Sequence, residues 1–310
     1  MTDIVTLTLN PAVDVSTSVA QVVDTLKLRC GAARQDPGGG GINVARVVRR
    51  LGGDCSAVYL AGGRAGRLLG ELLDAENVAG VPLAIGGETR TDFSVTETST
   101  GKQFRFVLPG PTVTQAEWHA CLDYFATLTP PRYLVLSGSL PPGVPVDFYA
   151  TLSRSARARG TQVVVDTSGP TLEAVLQSGV SLFKPSLQEL RDLTRQPLLT
   201  EAAWRSAAQS IVRDGRVRMV VLTLGSDGAL LVTGQQVLRA PGLPTRVESA
   251  IGAGDSFLGA MVWALNRGAD EKDAFRYGVA GASAALHSAG TGLCQRADVL
   301  QKYEAVVLGP

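Results

Sequence analysis

Short apolar runs rich in β-branched residues recur along the chain at 4–9, 57–61, 133–136, 162–165 and 219–222. Between them, apolar positions at helical spacing mark 42–51, 66–75, 115–128, 146–158 and 202–213. A strand that is apolar on both faces must be covered on both faces, and an amphipathic helix between successive strands supplies the cover. The alternation predicts βαβ units and an α/β fold with a doubly wound, mostly parallel sheet and helices on both faces. The last third departs from it, because 254–265, 271–286 and 297–306 read as three helices in succession. No internal repeat or low-complexity linker interrupts the pattern, which predicts one domain over residues 1–310.

Two insertions break the alternation, near 14–34 and 91–107. They carry strand-like polar/apolar alternation (Phe93, Val95, Phe104, Phe106), with Gly101 at a turn. Neither is long enough for a core of its own. Together they are expected to form a small β-sheet lid over a site on the main domain, with ordinary surface hairpins as the alternative. A lid suits chemistry that must exclude water.

Composition narrows the partners. Lys plus Arg (29) almost balances Asp plus Glu (28), so no overall field points to nucleic acid or an anionic membrane. An anionic ligand must then be met by local basic residues. Cys30, Cys55, Cys121 and Cys294 lie far apart with no C-x-x-C pair, and His119 and His287 are the only histidines. That pattern argues against a zinc site and for a reducing compartment. No apolar run approaches the roughly 20 residues a membrane span needs. The first residues lack a basic stretch before an apolar core, so a cytoplasmic protein is expected.

The densest chemistry lies at Ile251-Gly252-Ala253-Gly254-Asp255-Ser256-Phe257-Leu258-Gly259-Ala260. Gly252 and Gly254 allow positive φ and close approach of a ligand, and the free N–H groups of the helix behind them suit an anion. A carboxylate at the mouth of such a pocket does not help bind phosphate. Asp255 is better placed to take a proton from a hydroxyl while negative charge builds across the pocket. A dinucleotide fingerprint is disfavoured because position 257 is Phe. A P-loop is excluded because Gly101-Lys102 is followed by Gln103 and has no glycine five positions earlier. A glycine turn merely capped by Asp is the plain alternative.

Other segments fit the same chemistry. In Pro37-Gly38-Gly39-Gly40-Gly41-Ile42-Asn43, four glycines run into a helix, and Asn43 offers both a donor and an acceptor to sugar hydroxyls. Asp14 follows the first strand, beyond whose carboxyl end open α/β sheets bind ligands. Lys27, Arg29, Arg90 and Arg105 place cations in or beside the insertions, where a phosphorylated substrate would need them and where solubilising charge is equally ordinary. Ser139, in Ser137-Gly138-Ser139, ends a strand and offers a hydroxyl to a phosphate or sugar, or simply makes a turn. Lys184-Pro185-Ser186-Leu187-Gln188-Glu189 and Thr223-Leu224-Gly225-Ser226-Asp227-Gly228 also follow strands. The second presents bare backbone to a nucleotide, and Glu189 is suited to a metal-bound water or to a plain helix surface.

Taken together these motifs resemble the ribokinase-like (PfkB) family of carbohydrate kinases, almost end to end, with the glycine motif near 40 and the G-A-G-D motif near 254 in the right order and spacing. Within it the phosphofructokinase branch is the nearest likeness, carried also by Lys27-Leu28-Arg29-Cys30, 106–110, 137–144 and Gly290-Thr291-Gly292-Leu293-Cys294. The resemblance implies a ribokinase-like sheet of about nine strands and a lid that serves as the interface of a homodimer. It implies an ATP- and Mg²⁺-dependent kinase converting fructose 6-phosphate to fructose 1,6-bisphosphate in glycolysis. Fructose 1-phosphate and tagatose 6-phosphate are the alternative phosphorylated ketoses, and a silent sugar-phosphate or nucleotide sensor is the alternative class.

The resemblance also assigns roles. Asp255 would be the base, with Gly252, Ala253 and Gly254 as the anion hole. Asp14, Gly39, Asn43, Arg90, Arg105 and Ser139 would contact the sugar phosphate. Lys184, Ser186, Thr223, Gly225 and Gly228 would line the nucleotide side, with Lys27 reaching it across the dimer. Glu189 would meet Mg²⁺ through water, and Ser249, Ile251, Ala285, Ser288 and Gly290 would hold K⁺. Two positions depart from the family pattern. Ser186 stands where N-x-x-E has Asn, and Asp92 stands where T-R-x-N has Asn.

Overall fold

Strand β1 (Ile4–Thr8) is buried along its whole length, and its alternate side chains enter two different cores. Ile4 joins one apolar cluster, while Val5 and Leu7 join the other on the opposite face of the sheet. The computed structural model describes residues 2–245, 247–288 and 292–310. After β1 come β2 (Ala12–Val19), β3 (Arg34–Gly38), α1 (Gly40–Arg50), β4 (Cys55–Ala61), α2 (Gly63–Ala75), β5 (Ala79–Ala84), β6 (Arg90–Glu97) and β7 (Gln103–Phe106). Next are α3 (Gln115–Thr127), β8 (Tyr133–Ser137), α4 (Phe148–Ala158), β9 (Gln162–Asp166), α5 (Gly169–Gln177), β10 (Val180–Phe183), α6 (Leu187–Thr194) and α7 (Glu201–Arg213). The chain then forms β11 (Val217–Thr223), β12 (Ala229–Thr233), β13 (Val237–Ala240), α8 (Ala253–Asn266), α9 (Glu271–Ala285) and α10 (Arg296–Glu304).

Nine strands form one sheet in the order β13-β12-β11-β10-β9-β8-β1-β4-β5, parallel from β11 through β5 and antiparallel at the β12–β13 edge. Helices α1, α2, α8, α9 and α10 cover one face, and α3 to α7 cover the other. Burial on both faces is why these strands read as unbroken apolar runs. Among the described residues no helix is long and apolar enough to cross a membrane.

A second sheet, in the order β3-β2-β6-β7, is built by the two insertions. Its boundaries differ from the expectation. Residues 20–33 hold no strand, and the return strand is Arg34–Gly38, which includes Pro37 and Gly38 and leads directly into α1. Pro37-Gly38 looks like a loop in sequence but pairs here with Val13 and Ala12. The pattern also missed β5, an edge strand carrying Gly80 and Pro82, which an edge tolerates. It missed α5 as well, whose Gly169-Pro170 start hides a proline-led helix.

Candidate active site

The carboxyl ends of β1, β8, β9 and β10, the first turns of α1 and α8, and one face of the small sheet surround a common space. Gly252 caps α8 at φ +77°, a left-handed geometry that a larger residue resists, and an added Cβ there would meet Leu293 Cδ2 at 2.6 Å. Ser256 N–H bonds back to Gly252 O at 2.8 Å and Ala253 N–H makes a long contact to Ala250 O at 3.4 Å, and the N–H groups between them, of Gly254 and Asp255, are ones that a helix start leaves to a ligand. A Cβ on Gly254 would lie 3.4 Å from Lys184 Nζ, which puts that ammonium over the first turn of α8. Gly39 (φ +117°) precedes α1, and Gly41 packs so near β1 that a Cβ would stand 2.7 Å from Leu7 O.

Asp255 is the third residue of α8, and its Oδ2 accepts from Asn43 Nδ2 at 2.8 Å. Burial raises the Asp255 carboxyl above the ordinary carboxylate range. The Asn43 hydrogen bond and the charges of Lys184, Arg105 and Arg46 draw it partly back. Lys184 is buried and pairs with Asp166 at 3.2 Å. Burial pulls its ammonium down, but Asp166, Asp255 and Glu189 outweigh that and hold it above its usual value. The Asp166 carboxyl is pushed up to about 6, chiefly by burial, with Lys184 opposing and Asp255 and Glu189 adding. The result is a positive centre ringed by carboxylates beside an anion-accepting helix end.

Ser186 caps α6. Its N–H and Oγ both donate to Glu189 Oε2, at 2.7 and 2.9 Å, and its Oγ accepts from Glu189 N–H at 3.2 Å. Serine here thus performs the helix-capping task that asparagine performs equally well. Among the described residues no three His, Cys, Asp or Glu side chains converge as a metal cage. The donor set fits a divalent ion such as Mg²⁺ that takes most of its ligands from phosphates and water, with Asp166 and Glu189 as the carboxylates at hand.

On the small sheet, Asp14 stands in register with Asp36 on one side and Asp92 on the other, so three carboxylates share one face. Burial first, and Asp92 second, push the Asp14 carboxyl up to about 6 against Arg105, Arg90 and Arg46. Asp92 is buried. It accepts from Leu108 N–H at 2.9 Å and lies 3.4 Å from Arg90, anchoring the strand-to-loop exit. Arg90 donates to Leu108 O (2.6 Å) and Asn10 O (3.0 Å). Arg105 is exposed and forms no ion pair among the described residues.

Asn10, Arg90 and Ser139 line a cavity of about 600 Å³ with Leu108, Thr167 and Ser168. Asn10 donates to Ser139 Oγ at 3.3 Å and to Pro109 O at 3.0 Å. Its Oδ1 and Arg90 Nε are both buried without a partner among the described residues. Orphaned buried polar atoms of this kind mark a place that a polar ligand completes.

On the far side, Thr223 closes β11 with its N–H on Pro185 O at 2.9 Å. Gly225 (φ +62°) and Gly228 (φ +95°) shape the turn that follows. Gly225 has open space around it, whereas Gly228 is pressed against Ala240 and Gly242, which leaves no room for a side chain. Ser249 is buried, its N–H reaches Leu286 O at 3.4 Å and its Oγ accepts from Ile251 N–H at 3.2 Å. Glu248 N–H also reaches Leu286 O, at 2.8 Å, so the chain at 248–249 adjoins the end of α9, where Ser288 N–H bonds Ala285 O at 3.0 Å. Gly290 lies outside the described residues. Lys27 is exposed, in the strand-free 20–33 stretch, and among the described residues it bonds to no other site residue.

The sequence reading passed over three residues. Asp166 ends β9 as Asp14 follows β1, and the same strand-end rule would have found it. Asn10 lies at the exit of β1, where the same rule points. Arg46 looks like an ordinary polar position of an amphipathic helix, yet its side chain is wholly buried.

Comparison with known proteins agrees with this geometry. The model of the pfkB family carbohydrate kinases matches residues 3–298. The chain is 44% identical over 302 residues to the ATP-dependent 6-phosphofructokinase isozyme 2 of Mycobacterium tuberculosis, covering 97% of this chain and 89% of that protein. It is 39% identical over 304 residues to the protein of the same name from Escherichia coli, covering 98% of each. Crystal structures of phosphofructokinase-2 from Escherichia coli, one with potassium and one with substrates and products, each align with a TM-score of 0.95 at 38% identity. They cover 98% of this chain and 99% of that one. The chain belongs to the pfkB family of carbohydrate kinases.

Proposed function

We propose that this chain is an ATP-dependent 6-phosphofructokinase, transferring the terminal phosphoryl group of ATP to the C1 hydroxyl of fructose 6-phosphate. The observation that carries the reading is Asp255, hydrogen-bonded to Asn43, in the first turn of α8 where Lys184 also lies, in a fold that also holds a cavity whose Arg90 and Asn10 have unmet hydrogen-bonding capacity. The names of the Mycobacterium and Escherichia relatives support the same substrate pair.

In this reading Arg90 and the exposed Arg105 hold the substrate's own phosphate, with Ser139 and Asn10 beside it. Asp14 and Asn43 orient the sugar, Asn43 with its one uncommitted amide hydrogen. Asp255 takes the proton of the attacking hydroxyl. The N–H groups of Gly252, Ala253 and Gly254 and the ammonium of Lys184 receive the charge that spreads over the transferred group. Thr223 and Gly225 border the nucleotide. Mg²⁺ carried in on ATP would neutralise phosphate charge, met by Glu189 and Asp166. K⁺ would sit among Ser249, Ile251, Ala285, Ser288 and Gly290, as the potassium complex of the Escherichia protein suggests by likeness.

The unit is read as one kinase domain, 1–310, working in the cytoplasm as a homodimer joined through its lid. Val15, Phe93 and Phe106 are in register across the small sheet, and Phe93 and Phe106 are 46% and 56% exposed. Such an exposed apolar row suits a second copy, which would bring Lys27 to the neighbouring nucleotide. Assaying fructose 6-phosphate, fructose 1-phosphate and tagatose 6-phosphate side by side tests the substrate. The highest kcat/KM is expected for fructose 6-phosphate, and a higher value for either rival overturns the assignment.

A further inference from the structure

The most unusual charged group in the molecule is Arg46, whose side chain is 0% exposed. Its Nε donates to Glu76 Oε2 at 3.0 Å, and its Nη2 is bonded to Glu76 Oε1. Glu76 caps the end of α2 and is shared with Arg50 at 3.1 Å. Asp36 lies 3.8 Å from the same guanidinium. The remaining nitrogen, Nη1, donates to Pro37 O at 2.9 Å and to Asn43 Oδ1 at 3.1 Å. The fork is therefore fixed on one side by a carboxylate and delivers its other side to Asn43, one helical turn away.

That contact dictates which way the Asn43 amide points. A guanidinium has donors and no acceptor, so the amide end that faces it must be the oxygen. The NH₂ end then faces away, and it donates to Asp255 Oδ2 at 2.8 Å. A flipped amide would turn its oxygen to Asp255, and two oxygens at that distance require a proton between them. The orientation that Arg46 imposes thus favours the ionised carboxylate that a base must be.

We infer that Arg46 is a positioning residue for phosphoryl transfer, holding the Asn43 amide so that Asp255 stays ionised and aimed at the substrate hydroxyl. It touches no substrate, and it rests on the reading of Asp255 as the base. The charged groups around Asp255 come from several elements: Lys184 after β10, Asp166 at the end of β9, Arg105 on β7 and Arg46 itself on α1. A test must therefore keep net charge constant while removing the fork.

Arg46→Lys does so, because a single ammonium beside Glu76 cannot also span to Asn43. The expected result is a folded enzyme with kcat down about tenfold, KM for ATP near the parent's, KM for fructose 6-phosphate raised because Asn43 also orients the sugar, and the acid limb of the kcat profile moved to higher pH. In an Asn43→Ala background the same substitution should change kcat no further, since the relay is already cut. A parent-like acid limb, or an undiminished effect in the Asn43→Ala background, overturns the inference. If Arg46→Lys does not fold, Arg46→Met with Glu76→Gln removes the buried cation and its half-buried partner together and is read by the same two criteria. Asp255→Asn, measured alongside, separates the two ideas. Near-parent turnover there removes the base assignment and this inference with it. Slow turnover there with an unmoved limb in Arg46→Lys removes only the positioning role.

Discussion

Replacing Asp255 by Asn removes the basic carboxylate and little else. Its oxygen can still accept from Asn43 Nδ2 along the 2.8 Å contact, and the Gly252 turn that starts α8 is untouched. Acid–base groups held in position contribute roughly 10²–10⁴-fold, so kcat should fall by about that factor. Binding should behave differently. Asp255 adds negative charge to a cluster that already holds Asp166 and Glu189 around Lys184. Removing one charge lowers repulsion toward ATP and lets the Asp166 carboxyl descend from about 6 toward its ordinary value. ATP should bind as well as before or somewhat better.

The assays are coupled ADP release for turnover and calorimetric titration of ATP and of fructose 6-phosphate. A folded variant that binds both ligands and turns over at near-parent rate refutes the base. A variant that loses both ligands makes Asp255 a structural anchor instead. The pH profile gives an independent check. Burial raises the Asp255 carboxyl, so the parent's kcat should decline as pH falls through a value above the usual carboxylate range. The residual activity of Asp255→Asn should lack that decline.

Arg90→Ala should raise KM for the sugar phosphate far more than for ATP, and equal effects on both substrates would move Arg90 off the sugar-phosphate side. Asp14→Asn should weaken sugar binding yet stabilise the protein at neutral pH. With a folded value of about 6 against an ordinary value near 3.8, Asp14 makes the native state bind more protons between about pH 4 and 6, so its ionisation costs stability as pH rises through that window. Thermal melts should therefore show a gain at pH 7.5 and none at pH 4, and equal shifts at both would refute the linkage. Ser186→Asn should retain the α6 cap while removing the hydroxyl that occupies Glu189 Oε2, moving the Mg²⁺ titration at fixed ATP to lower metal. Superimposable curves would show that the serine hydroxyl does not compete for that carboxylate.

Much of this architecture is written in the periodicity. Strands such as β1 and β9 send side chains into both cores, so apolar residues follow one another without a polar face, and the run is visible without context. Edge strands carry no such demand. β5 is exposed at alternate positions and includes Gly80 and Pro82, so it looks like a loop. β3 fails to register for a different reason: its pairing partner β2 lies 15 or more residues away in sequence, and only that pairing makes Pro37-Gly38 extended.

The site divides along the same line. Glycines at 39, 252 and 254 announce themselves because backbone geometry and close approach demand them locally. A buried cation announces nothing. Arg46 occupies a helix position that any solvent-facing arginine might fill, and its burial depends on Glu76 arriving at the end of α2, thirty residues on. Asp92 depends on distant chain in the same way. In sequence it is a departure from the family pattern two residues from Arg90, and the segment after β7 brings Leu108 N–H to its carboxylate and gives it a structural partner. A charge beside a binding residue in sequence carries meaning only once its hydrogen-bonding partners are known. Here those partners come from distant segments, which local periodicity does not encode.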